Sequence, residues 1–283
     1  MVMLPNTVNN TAEVTALDDK ITTDHELRIP CYCEENSWRL VYRHCNAAAA
    51  ANANSIIHCE YNYHVVFVSN LPRCCSFYMQ RAAARGTKNE FVNWDYHVFV
   101  IREAVVEAVT AKDEAYEEET TTTKRGNKTR KSQVEVLDVD TLLLPYPCPI
   151  HVYLDGSFPQ YSEQYHHHTT TTNRTMDLYR PIFRVVPAQQ YLRYFYSNRM
   201  HMYNEDNGQW SAPPPNYLPI MNGLLELGVD SKTGLVLDSN NNKVTSGGGG
   251  SNLETYINMT SNDDDDGRWG KVYTLDQFRS KYC

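Results

Sequence analysis

Trp94-Asp95-Tyr96-His97-Val98-Phe99-Val100-Ile101 is the stretch that decides how this chain folds. From Tyr96 onward it is apolar and rich in β-branched and aromatic residues, as a buried strand is. One residue breaks the run. His97 stands where a core ordinarily takes Val or Ile, and an ionisable ring is costly to bury without a partner. With period two, His97 shares a face with Phe99 and Ile101, while Tyr96, Val98 and Val100 face the other way. The strand is expected to run from Tyr96 to about Val109, reaching into a hairpin arm.

Its expected antiparallel partner is Val134 to Val139, again β-branched. Asp138 interrupts that strand, in Val136-Leu137-Asp138-Val139-Asp140-Thr141. A carboxylate inside a buried strand needs a partner as much as the histidine does, and an imidazole Nδ1–H on the adjacent strand would supply one. Asp140, in Asp-Thr ahead of Pro145 and Pro147, suits a turn instead. The plainer account of His97, a core histidine satisfied by a backbone carbonyl, is weakened by Asp138 but not removed.

Outward from this pair, His64 to Val68 reads as another apolar strand, closed by Ser69-Asn70-Leu71-Pro72. Helices are expected over Cys33 to about His44, over Ala188 to Tyr196, and over Leu275 to Tyr282 with Thr274 as cap. Pro213 to Pro215 marks an extended connection. Several segments have the composition of inserted, solvated loops: Ala47 to Ala53, the Thr120–Thr123 run with its basic tail, His166 to His168 with the threonines after it, Gly247 to Gly250, and Asp263 to Asp266. The expected organisation is a disordered segment over residues 1–24 and a single α/β domain over 25–283.

At 283 residues, 41% of them hydrophobic, the chain can bury a full core. Its net charge of −8 and pI near 5.7 argue against nucleic acid or an anionic membrane as main partner. The basic run Lys124 to Lys131 lacks aromatic interleaving and reads as a solvated loop. Neither an apolar leader nor a bilayer-length apolar stretch is present in the sequence, so the cytosol or nucleus is expected. The eight cysteines are then expected as thiols. A zinc-binding interaction module built from Cys31, Cys33, His44, Cys45, Cys59, Cys74 and Cys75 is the rival from another class. Cys-x-Cys and Cys-Cys are not the spaced pairs of such sites, and no metal or cofactor is expected.

Cys33 opens the first helix, where unpaired backbone N–H groups and the positive dipole end favour a thiolate. Glu34 and Glu35 would oppose this if they faced the sulfur, so they are expected on the outer face of the first turn. Burial as a small hydrophobe is the ordinary fate of a free cysteine and remains the alternative for Cys31 and Cys33. Cys33, His97 and Asp138 together form a Cys–His–acid arrangement, in which the thiol attacks, the imidazole shuttles the proton and the carboxylate orients the imidazole. On spacing alone a thiol protease or a transglutaminase fits as well.

Further motifs extend the pattern. Cys31-Tyr32-Cys33-Glu34-Glu35-Asn36-Ser37-Trp38, Trp94-Asp95-Tyr96-His97-Val98, Asp138-Val139-Asp140-Thr141 and Pro145-Tyr146-Pro147-Cys148 occur in that order. After them come Phe183-Arg184-Val185-Val186, Tyr191-Leu192, Ser197-Asn198-Arg199-Met200-His201-Met202, Trp210 with Pro213 to Pro215, and Trp269-Gly270-Lys271-Val272-Tyr273-Thr274-Leu275. From about Cys31 to the C-terminus the chain resembles the protein N-terminal glutamine amidohydrolases, also called WDYHV-motif proteins. It departs from their pattern in the inserted loops, in a longer Lys232–Ser251 region and in Leu142-Leu143-Leu144.

The resemblance implies Cys33, His97 and Asp138 as catalytic residues. It also implies a monomer with a three-layer α/β/α sandwich around a mainly antiparallel sheet, similar to the transglutaminase and papain-like core. The implied reaction converts an N-terminal glutamine to glutamate plus ammonia through a thioester on Cys33, feeding an N-degron route. Such an enzyme must receive the substrate's α-ammonium, and Asp95 is a candidate for that as well as for a structural contact at the strand end.

Overall fold

The structure, a computed structural model, describes residues 24–51, 61–83, 90–105, 133–162, 177–223, 250–260 and 267–283. Among these residues six strands form one sheet, in the order β10 (Lys271–Thr274), β7 (Ile182–Pro187), β1 (Tyr61–Ser69), β4 (Tyr96–Ala104), β5 (Val134–Leu137) and β6 (Cys148–Pro149). Every neighbouring pair is antiparallel. β1 and β4 lie at the centre because both of their faces are apolar. Val65 and Phe67 enter one core and Val66 and Val68 the other; Val98 and Val100 oppose Phe99 and Ile101 in the same way. His97 therefore has the facing that period two assigns it.

Helices cover both faces. α1 (Cys33–Ala51), α3 (Ala188–Tyr194) and α4 (Leu253–Ile257) bury Leu40, Val41, Tyr191 and Tyr256 against one. α2 (Ile150–Ser157) and α5 (Leu275–Tyr282) bury Tyr153, Leu154 and Phe278 against the other. Thr274 caps α5 in a capping box with Gln277. The fold is mixed α/β with a mainly antiparallel sheet, in line with expectation. Two short ribbons add to it, β2 (Cys75–Tyr78) with β3 (Phe91–Trp94) and β8 (Tyr203–Asn204) with β9 (Gln209–Trp210).

Several boundaries differ from those expected. α1 continues past His44 through Ala47 to Ala51, where a loop is expected; alanine has the highest helix propensity of any residue. α3 stops at Tyr194, and Phe195 turns extended. β5 ends at Leu137, so Asp138 lies just beyond the strand. Its carboxylate there accepts the backbone N–H of Asp140, an Asx turn that competes with the sheet ladder. Asp24, assigned to the disordered segment, is buried and accepts hydrogen bonds from the Tyr146 hydroxyl at 3.2 Å and the His44 ring at 3.1 Å. Residues 1–23, the Thr120–Thr123 run and its basic tail, His166 to His168, Asp263 to Asp266 and most of Lys232–Ser251 lie outside the described residues.

Arg184 ties the sheet to the wall of the cavity described below. It is buried in β7 on the face of Val186, and its guanidinium donates to the carbonyls of Tyr256, Asn258 and Trp269. The first two belong to α4 and the residues just after it. Replacing Arg184 by Met leaves those carbonyls short of donors in a dry interior. The expected loss is about 3 kcal/mol, read as a lower urea midpoint with an unchanged slope.

Candidate active site

A cavity of about 930 Å³ opens where the first turn of α1 meets the start of β4. Cys33 from α1 and His97 from β4 both line it. Asp95, Asp140, His201 and Met200 are also on its wall. Cys33 is partly exposed there, whereas His97 and Asp138 are almost wholly buried. The structure thus brings Cys33 and His97 to one space, with Asp138 behind the histidine.

His97 does have an acidic partner. Its Nε2 lies 3.1 Å from Asp138 Oδ2. The nitrogen expected to make this contact was Nδ1, and register explains the difference. β4 and β5 pair Val100 with Leu137, so the continued register sets Asp138 opposite Phe99, two residues from His97. From that diagonal position the carboxylate meets the ring nitrogen farther from the backbone. The Tyr153 hydroxyl donates to Asp138 Oδ2 at 2.7 Å, and the Asp140 N–H donates to Oδ1 at 2.9 Å.

These donors and the imidazole outweigh burial and hold the Asp138 carboxyl below the usual range. For His97, burial opposes the charged form, but the charge and hydrogen bond of Asp138, with Asp140 and Glu34 behind, raise it above the ordinary histidine value. The ring stacks on Trp94 at 4.3 Å between centroids and meets Phe77 edge-on at 5.3 Å.

Cys33 begins α1, as expected, but its surroundings do not favour a thiolate. Glu34 and Glu35 are fully buried instead of lying on the outer face. The Cys33 thiol donates to Glu34 Oε2 at 3.7 Å. Burial first, then the carboxylates of Glu34, Asp140 and Asp138, push the thiol well above its usual value, against the backbone of Val98. Two glutamates in a first turn suit the helix dipole wherever they point, so sequence could not separate outward from inward.

Arg199 is the residue that draws one of them in. Its Nε and Nη2 donate to Glu35 Oε1 and Oε2 at 2.7 and 2.9 Å, and its Nη1 donates to the carbonyls of Pro215 and Tyr217. Sequence reasoning gave Arg199 no role. The available signal was an arginine inside the Ser197–Met202 motif, directly before three cavity-lining residues. Asp95 stands exposed at the rim, with Oδ1 accepting the Tyr96 N–H at 3.0 Å. Among the described residues no set of three His, Cys, Asp or Glu side chains gathers as metal ligands would, and no disulfide joins the seven cysteines present. No helix among them is long and apolar enough to cross a membrane.

Comparison with known proteins agrees with the motif order. The sequence profile of the N-terminal glutamine amidase family matches residues 28–282. The protein N-terminal glutamine amidohydrolase of Bos taurus is 27% identical over 252 residues, covering 89% of this chain and 84% of that protein. Those of Drosophila erecta and Drosophila melanogaster are each 32% identical over 197 residues, covering 68% of this chain and 71% of theirs.

Two measurements probe the electrostatics of the site. Arg199→Met strands the buried Glu35 charge and is expected to cost about 3–5 kcal/mol, much of it recovered when Glu35→Met is added; denaturant unfolding of the single and double variants checks this. The second concerns pH. The raised His97 contributes stability that is fully present below its ordinary value of 6.5 and is lost as pH rises through its folded value. The lowered Asp138 contributes stability present above 3.8 and lost as pH falls through its folded value. The stability gap between wild type and Asp138→Asn is therefore expected to be widest between about pH 4 and 6.5, narrowing on both sides in a pH series of urea melts.

Proposed function

The chain belongs to the N-terminal glutamine amidase family, a family of hydrolases, and from that premise we propose that it hydrolyses the side-chain amide of an N-terminal glutamine, releasing ammonia and leaving N-terminal glutamate. The observation that carries this is the cavity lined by both Cys33 and His97, with Asp138 bound to the far side of the imidazole.

In this reading Cys33 is the nucleophile, His97 the proton carrier and Asp138 the group that fixes the imidazole's orientation and supports its charge. The sulfur attacks the δ-carbonyl carbon. Cys33 opens α1, so its own N–H lacks an intrahelical acceptor and is free to hold the developing oxyanion. His97 protonates the departing ammonia and then takes a proton from the water that cleaves the γ-glutamyl thioester. Asp95, at the rim, receives the α-ammonium and so restricts the reaction to chain termini. Asparagine is one methylene shorter and holds its carbonyl out of line with the sulfur; a misplacement of ~1 Å costs about a hundredfold in rate.

The layered arrangement, with helices on both faces of an antiparallel sheet, suits a transglutaminase- or papain-like core. We extend the proposal to a monomer acting in the cytosol or nucleus, with no nucleic-acid or membrane partner, whose product enters an N-degron route.

Incubation with a Gln-initiated peptide, its internal-Gln isomer and an Asn-initiated peptide tests the reading by ammonia release. Only the first is expected to react, and Cys33→Ala and His97→Ala should abolish the signal. Retention in Cys33→Ala with loss in Cys31→Ala would move the nucleophile to Cys31. Asp95→Asn is expected to raise KM about fivefold with kcat little changed, the scale of one solvent-exposed ion pair.

A further inference from the structure

The cavity is larger than the reaction above requires. Its volume of about 930 Å³ lies near the top of the range for small-ligand sites, and one glutamine residue is small beside a ligand of that class. The glutamine side chain has its place at the end lined by Cys33 and His97, so the residue after it lies within the same walls. Beyond that end the lining changes character. Met200 and Met202 from the turn before β8, Leu253 and Ile257 from α4, and Glu205 from the β8–β9 hairpin form it.

Charge on the wall is unbalanced. Arg28 is paired with Asp140, and Arg73 with Glu254. Among the described residues no cation pairs with Asp95 or Glu205, although Arg73 and His201 lie within electrostatic reach of Asp95. With the histidines counted as neutral, two arginines face four carboxylates, a net charge of −2. The α-ammonium takes up one of these charges at Asp95. Glu205 has no part in the reaction as derived.

We propose that Glu205 receives the cationic side chain of the substrate's second residue, so that the enzyme favours Gln-Lys and Gln-Arg termini over Gln-Glu and Gln-Asp. The inference rests on the reaction given above. The wall matches lysine or arginine along the whole side chain. Met200, Met202, Leu253 and Ile257 offer apolar surface to the methylene stem, and unbranched methionine adapts to stems of different length. Glu205 is exposed and offers the head an anion at the solvent edge, where a long cation keeps part of its hydration. An acidic residue in the same place meets repulsion from Glu205, while both arginines of the wall are engaged.

The hairpin holds Glu205 in place. Asn204 Oδ1 accepts the N–H groups of Asp206 and Asn207 at 2.9 and 3.3 Å, and the Gly208 N–H donates to the Asn204 carbonyl at 2.9 Å. Gly208 closes the turn at φ +68°, a conformation that glycine takes without strain. At the base, the Ser211 N–H donates to the Met202 carbonyl at 2.7 Å, and the Met202 N–H to the Arg199 carbonyl at 2.9 Å. Glu205 is thereby tied to the buried Arg199. Asp206 follows it directly in the sequence, but of the two only Glu205 lines the cavity.

The test uses the full chain and three peptides that begin Gln-Lys, Gln-Met and Gln-Glu and are otherwise identical. Relative to Gln-Met, kcat/KM for ammonia release is expected to be about fivefold higher for Gln-Lys and about fivefold lower for Gln-Glu, the scale of an exposed ion pair. Salt at about 1 M, where the Debye length is about 3 Å, should bring the three together. Glu205→Gln should bring Gln-Lys and Gln-Glu close to the value for Gln-Met in the same variant. Equal rates for the three peptides on wild type, or a preference that Glu205→Gln keeps, overturn the proposal. A loss shared equally by all three also overturns it, since Glu205 would then serve the α-ammonium or the hairpin alone. Kd values of the same peptides on Cys33→Ala separate the subsite from the chemistry. The order Lys, Met, Glu in those values, with no turnover by wild type, overturns the amidohydrolase reading and upholds the subsite. Equal Kd values overturn the subsite whatever the turnover.

Discussion

The buried pair of Glu35 with Arg199 is the contact on which the cavity depends. Two adjacent carboxylates enter a dry interior at the start of α1, and both cannot ionise there unless one is matched. Arg199 matches Glu35 through two hydrogen bonds and uses its remaining nitrogen on the carbonyls of Pro215 and Tyr217. One guanidinium thereby fastens the helix that carries Cys33 to the turn that carries Met200 and His201. Of the two glutamates it pairs with Glu35 alone and leaves Glu34 to the Tyr96 hydroxyl and the Cys33 thiol. Tyr32, whose hydroxyl donates to the Ala212 carbonyl, braces the same junction.

Across the cavity a carboxylate–imidazole pair does related work under different constraints. His97 is enclosed by Trp94 and Phe77, and Asp138 is saturated by Tyr153 and the Asp140 backbone. Excluding water from such a pair strengthens its electrostatics and fixes the ring without relying on a mobile side chain. Cys33 therefore shares the cavity with an imidazole whose orientation is set by the sheet, and donates to a carboxylate buried in the first turn of its own helix.

Much of this was legible in the residues. Period two in Tyr96–Ile101 gave the facing of His97, and the misfit of Asp138 in a β-branched run pointed to its partner. Capping by Thr274 followed from local chemistry. The parts that were not legible all involve contacts between distant segments. Asx-turn formation by Asp138 and the strand end at Leu137 depend on competition between a side chain and a ladder, and that competition is settled only once β4 is in place. Inward placement of Glu35 depends on Arg199, which lies 164 residues away, and that of Glu34 on the Tyr96 hydroxyl of β4. Ala47 to Ala51 failed for another reason. Low complexity reads as a loop, yet alanine is also the strongest helix former.

The strand order has a consequence in time. β1 pairs with β4 and later with β7, and β7 pairs with β10, so the sheet is assembled from contacts of long sequence separation. Such topologies fold slowly, because the ends of large loops must meet before any contact rewards them. Cys33 emerges early from the ribosome, but Arg199 and the α4 wall of its cavity are made more than 160 residues later. A nascent chain therefore carries an ordinary exposed thiol and no pocket. Catalytic competence appears late and all at once, when nearly every strand has found its neighbour.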